Sequence, residues 1–397
     1  MSTSKPLTGT RVLDLTRVLA GPFATMLLTD LGAEVLKVEM PGVGDDSRHF
    51  GPFKNDRSLY FISINRGKQS MTLNLKTEEG KQILRKLVAE YDVLVENFRP
   101  GVMEKLGLGY DDLKEINPRL IYAASSGYGH SGPDSKKPAY DILAQATGGL
   151  MSVTGWPDQP PTRVGCSIGD ISAALFATIG ILAALNQRHE TGLGQKVDVA
   201  MLDCQVAILE NALARYQVDG VSPEPLGNRH PTISPFQAYQ AKDDWIVIAI
   251  GNDTLWQTFC KAVERNDLAS DGRFAGNRDR TTNLTELNKI LEPLFARRTV
   301  GEWSSLFSEV GIPHSRINNI EQMMQSRQVQ ARNMIATVQD KIAGLVKVAG
   351  NPIKMTNLED STERPAIPEL GEHTNSVLEA LGYDDDQIAA MQEQGVI

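Results

Sequence analysis

The chain has 397 residues, of which 41% are hydrophobic and 22% charged, and a formal net charge of −9 at pH 7. That balance belongs to a folded globular protein with room for two domains, and it excludes extended disorder. The acidic excess argues against non-specific binding to nucleic acid or to an anionic membrane, so a polyanionic ligand would need a local basic pocket.

From the N-terminal end, residues 10–16 (TRVLDLT) read as a short buried strand, Gly21-Pro22 as a helix start with Pro at a tolerated first-turn position, and residues 33–39 (AEVLKVE) as a second strand. Residues 80–89 predict an amphipathic helix, and 91–96 and 120–124 further strands. Strands alternating with helices give an α/β fold with a mostly parallel sheet and ligands at its carboxyl edge. The first loop, Arg17-Val18-Leu19-Ala20-Gly21-Pro22, has no GxGxxG and the chain no GxxxxGK[ST], so the dinucleotide reading is weak and a P-loop is excluded.

Residues 194–201 predict a strand running into a long helix through Ala214, after which Pro223, Pro225, Gly227 and Pro231 mark a linker. A second unit follows, with a strand over 245–250 and helices over 254–264, 284–295 and 300–310. Residues 326–331 read as helical, the chain is strand-like again from Gly344, and a short helical tail follows Thr374.

The N-terminus carries no apolar leader, and the longest apolar run, Ile171 to Leu185, is shorter than the ~20 residues that span a bilayer. A cytoplasmic protein without a membrane partner is expected. The three cysteines, Cys166, Cys204 and Cys260, are far apart, so buried thiols are expected rather than a disulfide framework or a zinc site.

Asp170 stands between a small-residue loop (Gly165, Cys166, Ser167, Gly169) and the apolar run, the place of an N-cap for a buried helix. The helix dipole and free N–H groups there favour the ionised carboxylate that a nucleophile needs. Asp is also among the commonest caps, so on local sequence a purely structural role stays open.

Eight segments in order carry a family resemblance: LDLTRVLAGPFAT (13–25), LGAEVLKVE (31–39), LYF-x3-NRGKQS-x2-LNLK (59–76), VENFRPG (95–101), INPRLIYAASSGYG (116–129), PTRVGCSIGD (161–170), GQKVDVAMLD (194–203) and LGNRHP (226–231). The chain resembles the class III coenzyme A transferases over nearly its whole length. The resemblance implies a Rossmann-like large domain built from the N- and C-terminal parts, a smaller central α+β domain, and an interlocked homodimer. On that pattern residues 1–200 begin the large domain, 201–230 are helix and linker, 231–325 the small domain, 326–350 the return linker, and 351–397 complete the large domain.

It also implies that Asp170 attacks an acyl-CoA thioester, giving a mixed anhydride and then an aspartyl-CoA thioester that a carboxylic acid takes over. CoA is then a substrate, and no permanently bound cofactor or metal is implied. Backbone N–H groups near Gly165 to Gly169 are candidate donors to the developing oxyanions. Matched to the family, the CoA contacts fall on Leu19 and Ala20, Leu73, Asn74, Leu75 and Lys76, Asn97, Phe98 and Arg99, Lys105, and Tyr140. Lys76, Arg99 and Lys105 suit phosphates and Phe98 suits adenine, although Lys105 also reads as a solvated helix charge and Phe98 as ordinary core. Met40 replaces a family arginine that touches the nucleotide, a loss for which Arg17 or Lys37 would compensate.

Arg48, Phe50, Tyr60 and His230 are candidates at the substrate end, Arg48 as partner of a second carboxylate on the acceptor and His230 equally as a polar loop residue. The long glycine-rich loop of formyl-CoA transferases has no match here, and RHPTISPF (229–236) looks more like members using acetyl-CoA or succinyl-CoA with oxalate or another short dicarboxylate. The rival enzyme is an α-methylacyl-CoA racemase, whose base histidine is replaced here by Tyr140, a poor base given a phenol pKa of ~10. A non-catalytic CoA-binding protein is the rival outside enzymology.

Overall fold

The structure, a computed structural model, describes residues 5–397. Residues 5–150, 163–214 and 327–397 form one compact unit, and residues 151–162 and 215–326 a second.

The first unit is organised on β1 (Arg11–Asp14), α1 (Ala20–Asp30), β2 (Glu34–Glu39), β3 (Gln69–Thr72), α2 (Glu78–Glu90), β4 (Val93–Glu96), β5 (Ile121–Ser126), α3 (Asp141–Thr147), α4 (Ile168–Thr191), β6 (Lys196–Ala200) and α5 (Met201–Ile208). The six strands are parallel in the order β3-β2-β1-β4-β5-β6, with Leu13 of β1 opposite Leu36 of β2 and Leu94 of β4. Such a sheet is covered on both faces, which is why its central strands are almost continuously buried. On one face Leu13, Leu36 and Leu94 pack with Ile83, Leu84 and Leu87 of α2; on the other, Val12, Val35 and Val95 pack with Ile181 and Leu185 of α4. Strand order reverses between β1 and β4, so the loops leaving their carboxyl ends diverge and open a crevice.

Gly21 lets α1 start against the turn after β1: a Cβ there would lie 2.3 Å from the Thr16 Cβ. Helix α4 has 24 residues and ends where Gly192 takes φ 72 as a left-handed cap. Small residues bring it close to α1, Ala174 and Ala177 meeting Ala24. The helix runs beyond the apolar run seen in the sequence at both ends, and is long and apolar enough to cross a membrane by length and composition. Half of its apolar window is buried inside the unit, while Leu175, Phe176 and Ile179 stay exposed.

The long helix expected through Ala214 is two helices, α5 and α6 (Asn211–Asp219), with Glu210 between them at φ 21. Cys204 and Cys260 are buried as expected; Cys166 is exposed, because it precedes α4 in a surface segment.

In the second unit β7 (Phe236–Gln240), β8 (Trp245–Ala249) and β9 (His314–Arg316) form an antiparallel sheet in the order β9-β8-β7. It is backed by α7 (Asp253–Ala262), α8 (Leu284–Phe295) and α9 (Val300–Val310) around a core of Trp256, Phe259, Phe295, Trp303 and Phe307. The last segment returns to the first unit as the hairpin β10 (Ile335–Asp340) and β11 (Gly344–Ala349), the short β12 (Glu363–Arg364) beside β10, then α10 (Thr374–Ala380) and α11 (Asp385–Glu393). Thr374 fastens this tail to β3, its Oγ1 accepting from the Thr72 N–H at 3.0 Å.

Candidate active site

The cavity at the carboxyl ends of β1 and β4 takes in Asp170, from the first turn of α4. Asp170 is not its N-cap: Ser167 holds that place and Asp170 is the third helical residue. Capping comes from Asp141 at the start of α3, whose Oδ1 accepts from Gly169 N at 2.7 Å and more distantly from Asp170 N at 3.4 Å. Asp141 Oδ2 accepts from Gln145 Nε2 at 2.7 Å, and Gln145 Oε1 from Val164 N at 2.9 Å, so α3 fixes the loop before α4.

The electrostatic consequence runs against the expected full ionisation. Burial and then the Asp141 charge push the Asp170 carboxyl up to about 7. The helix terminus that was to stabilise the Asp170 anion serves Asp141 instead, and Gly169 N–H is taken from the expected oxyanion donors.

Asp170 lines a cavity of about 220 Å³ together with Leu19, Ala20, Asn97, Phe98, Arg99 and Tyr140. Its cations are Arg17, Arg99 and Lys137, and the Ser125–Gly127 loop and Met201 complete the wall. A second cavity of about 240 Å³ shares Arg17 and Phe98 and is otherwise mostly apolar, with Leu15, Val38, Met40, Leu73, Leu75 and Lys76 around it.

Several candidates have other employment. The Asn97 side chain clamps the Arg17 backbone, its Oδ1 accepting from Arg17 N at 3.0 Å and its Nδ2 donating to Arg17 O at 2.7 Å. Asn74 lies outside both cavities and donates to Gly395 O at 3.2 Å, while Lys105 is exposed and lines neither. Arg48 is no free loop cation: Nε and Nη2 each donate to Glu39 at 2.7 Å and the guanidinium stacks on Phe61, so its charge is already matched. Lys37 cannot stand in for the missing nucleotide arginine, since it is fully buried and ion-paired with Asp45 at 2.8 Å. Arg17, exposed and lining both cavities, is placed to do so.

Phe50 and Tyr60 meet edge to face at 6.0 Å. Burial, and then the charges of Asp170, Asp45 and Asp141, push the Tyr60 phenol up to about 12, which keeps it a neutral donor. His230 lies in the second unit, where its ring nitrogen accepts from Thr232 N and Ile233 N at 3.2 and 3.1 Å. Sequence reasoning missed Asp141, Lys137 and Met201; the first adjoins Tyr140, already a candidate, and the last stands inside the GQKVDVAMLD segment, so both were next to or within what had been marked. Among the described residues there is no group of three or more His, Cys, Asp or Glu that could hold a metal.

This geometry has close counterparts. The family model described as CoA-transferase family III matches residues 7–374. The chain is 44% identical over 368 residues to an acetyl-CoA:oxalate CoA-transferase of Acetobacter aceti, covering 92% of this chain and 93% of that one. It is 41% identical over 395 residues to a succinyl-CoA:glutarate CoA-transferase of Mus musculus, covering 99% and 90%. Among solved structures, a CAIB/BAIF family protein from Brucella suis superposes with a TM-score of 0.83 at 36% identity, covering 95% of this chain and 100% of that one. Whole-length similarity at this identity carries the reaction class as well as the fold, and the chain belongs to CoA-transferase family III, as an enzyme of that kind.

Proposed function

We propose that the enzyme moves CoA from a short acyl-CoA, acetyl or succinyl, to a small dicarboxylic acid of the oxalate or glutarate kind, with Asp170 as the nucleophile. The observation that carries this reading is the half-buried Asp170 carboxylate at a small cavity whose walls also hold Arg17, paired with Asp46, and the cations Arg99 and Lys137. Cations there suit an anionic acceptor, and the apolar neighbouring cavity suits the CoA adenine beside Phe98. The named substrates of the relatives are consistent with it.

The ionised Asp170 oxygen attacks the thioester carbonyl, the C–S bond breaks, and CoA thiolate leaves a mixed anhydride. The thiolate then attacks the Asp170 carbonyl, releasing the donor acid and leaving an aspartyl-CoA thioester. An acceptor carboxylate attacks that thioester, displacing CoA thiolate and giving a second anhydride. Return of the thiolate to the acceptor carbonyl yields the new CoA ester and restores the aspartate. Protons balance without a separate acid or base. A carboxyl of raised pKa is, once ionised, a stronger nucleophile than an ordinary one.

The strand order, with its reversal between β1 and β4, supports a Rossmann-like large domain. The exposed Leu175, Phe176 and Ile179 of α4 support a homodimer in which a second copy covers them. Tyr140 stands where the racemase reading needs a histidine, so that reading lacks its base. The test is an exchange screen by mass spectrometry, acetyl- and succinyl-CoA each against oxalate, glutarate, succinate and mesaconate. New CoA esters and an acyl or CoA adduct on Asp170 are expected, and loss of both in Asp170→Ala. Transfer by Asp170→Ala near the parent rate would overturn the assignment.

A further inference from the structure

The loop between β1 and α1 is held in a conformation its sequence does not favour. Val18 has φ 70, the left-handed region, where a β-branched residue is an outlier. Glycine would take that conformation without cost, but it would also leave it. Side chains from the end of β1, from within β2 and from the loop after β2 grip the backbone around Val18. Thr16 N donates to Asp14 Oδ1 at 2.9 Å, Lys37 Nζ donates to Thr16 O at 2.6 Å, and Val18 N donates to Asp45 Oδ1 at 3.0 Å. Lys37 and Asp45 are themselves ion-paired at 2.8 Å, with side chains 0% and 1% exposed. Burial works against both charges. The surrounding Asp14, Asp45 and Glu39 nevertheless raise Lys37, and Lys37 in turn lowers Asp45. The pair thus stays charged and grips the loop from both sides, and the next two residues, Leu19 and Ala20, line the Asp170 cavity.

We propose that the buried Lys37–Asp45 pair is a positioning element for transfer: by bridging Thr16 O and Val18 N it holds the strained turn that presents Leu19 and Ala20 to Asp170. The inference rests on the assignment of the reaction to that cavity. A loop with a merely structural task has no use for strain, since a relaxed turn would join β1 to α1 equally well. Strain is retained where a surface must be preorganised.

Two substitutions at one position separate the roles. Val18→Ala trims the side chain and keeps the left-handed demand, whereas Val18→Gly trims it and releases the backbone. The expected result is a kcat in Val18→Gly roughly tenfold below that of Val18→Ala. KM for acyl-CoA is expected to stay within about twofold, and the melting temperature of Val18→Gly to be at least that of Val18→Ala. Asp45→Asn keeps an acceptor for Val18 N but uncouples Lys37, and is expected to lower kcat while the far-ultraviolet spectrum is retained; if it does not fold, the Val18 pair decides. Equal kcat in the two Val18 variants overturns the positioning role. Asp170→Ala, assayed alongside, keeps the two ideas apart: its activity would overturn the cavity's assignment, whereas its inactivity with equal Val18 variants would overturn only the positioning.

Discussion

Asp170 and Asp141 share one helix terminus, and only one of them can be stabilised by it. Asp141 takes the Gly169 N–H, so Asp170 meets burial and a neighbouring negative charge with its carboxyl held up at about 7. Because the ionised form is the nucleophile, kcat/KM is expected to rise through neutral pH. Asp141→Asn removes the like charge while keeping an acceptor for Gly169 N, so the midpoint of that acid limb is expected to move down by up to about one pH unit. A pH profile of the variant checks this, and an upward move would contradict the origin of the shift.

The same carboxyl burdens the fold. Its pKa is raised above the unfolded value of 3.8, so its favourable contribution is complete below that pH and is lost as pH rises through about 7. Asp170→Asn is therefore expected to be inactive yet more stable above pH 7, by an amount on the order of 2–4 kcal/mol, with the gain vanishing in acid. Denaturant melts at pH 4 and pH 8 measure it.

At the scale of elements, the sequence reading succeeded where periodicity is local. The helices at 284–295 and 300–310 fall on Leu284–Phe295 and Val300–Val310, and the strand at 33–39 on Glu34–Glu39. It failed where a partner remote in sequence decides. Asp170 looked like a cap because it follows a small-residue loop, but the capping carboxylate comes from Asp141 on a different helix, and no local pattern announces it. Arg48 and Lys37 looked available as cations because their partners, Glu39 and Asp45, become partners only when β2 and the loop after it fold together. The strand Ile335–Asp340 went unread, since Ala336 and Val338 are its only buried apolar side chains. Elements also meet with little tolerance. Gly21→Ala would drive a methyl into Thr16, and a loss of roughly 2 kcal/mol is expected, together with a fall in kcat larger than that of Val18→Ala.

Across the whole molecule, what was hardest to read was assembly from separated segments. The first unit gathers residues from three stretches of chain, and motifs as distant as VENFRPG and PTRVGCSIGD meet at one crevice only through the order of the parallel strands. The second unit depends on its aromatic core, where Phe295 lies 5.1 Å from Trp303 and 4.6 Å from Tyr239, ring to ring. Phe295→Ala is expected to cost about 3–5 kcal/mol, read as a lowered denaturation midpoint.

The grip on the β1–α1 loop also has a signature in time. Loop amides ordinarily trade hydrogen with solvent far faster than those of a sheet. The N–H groups of Arg17 and Val18 are instead donated to Asn97, just past the end of β4, and to Asp45, in the loop after β2. In deuterium oxide these two amides are expected to keep their protons about as long as those of β1 itself, and Asn97→Ala to release the first of them while leaving β1 protected.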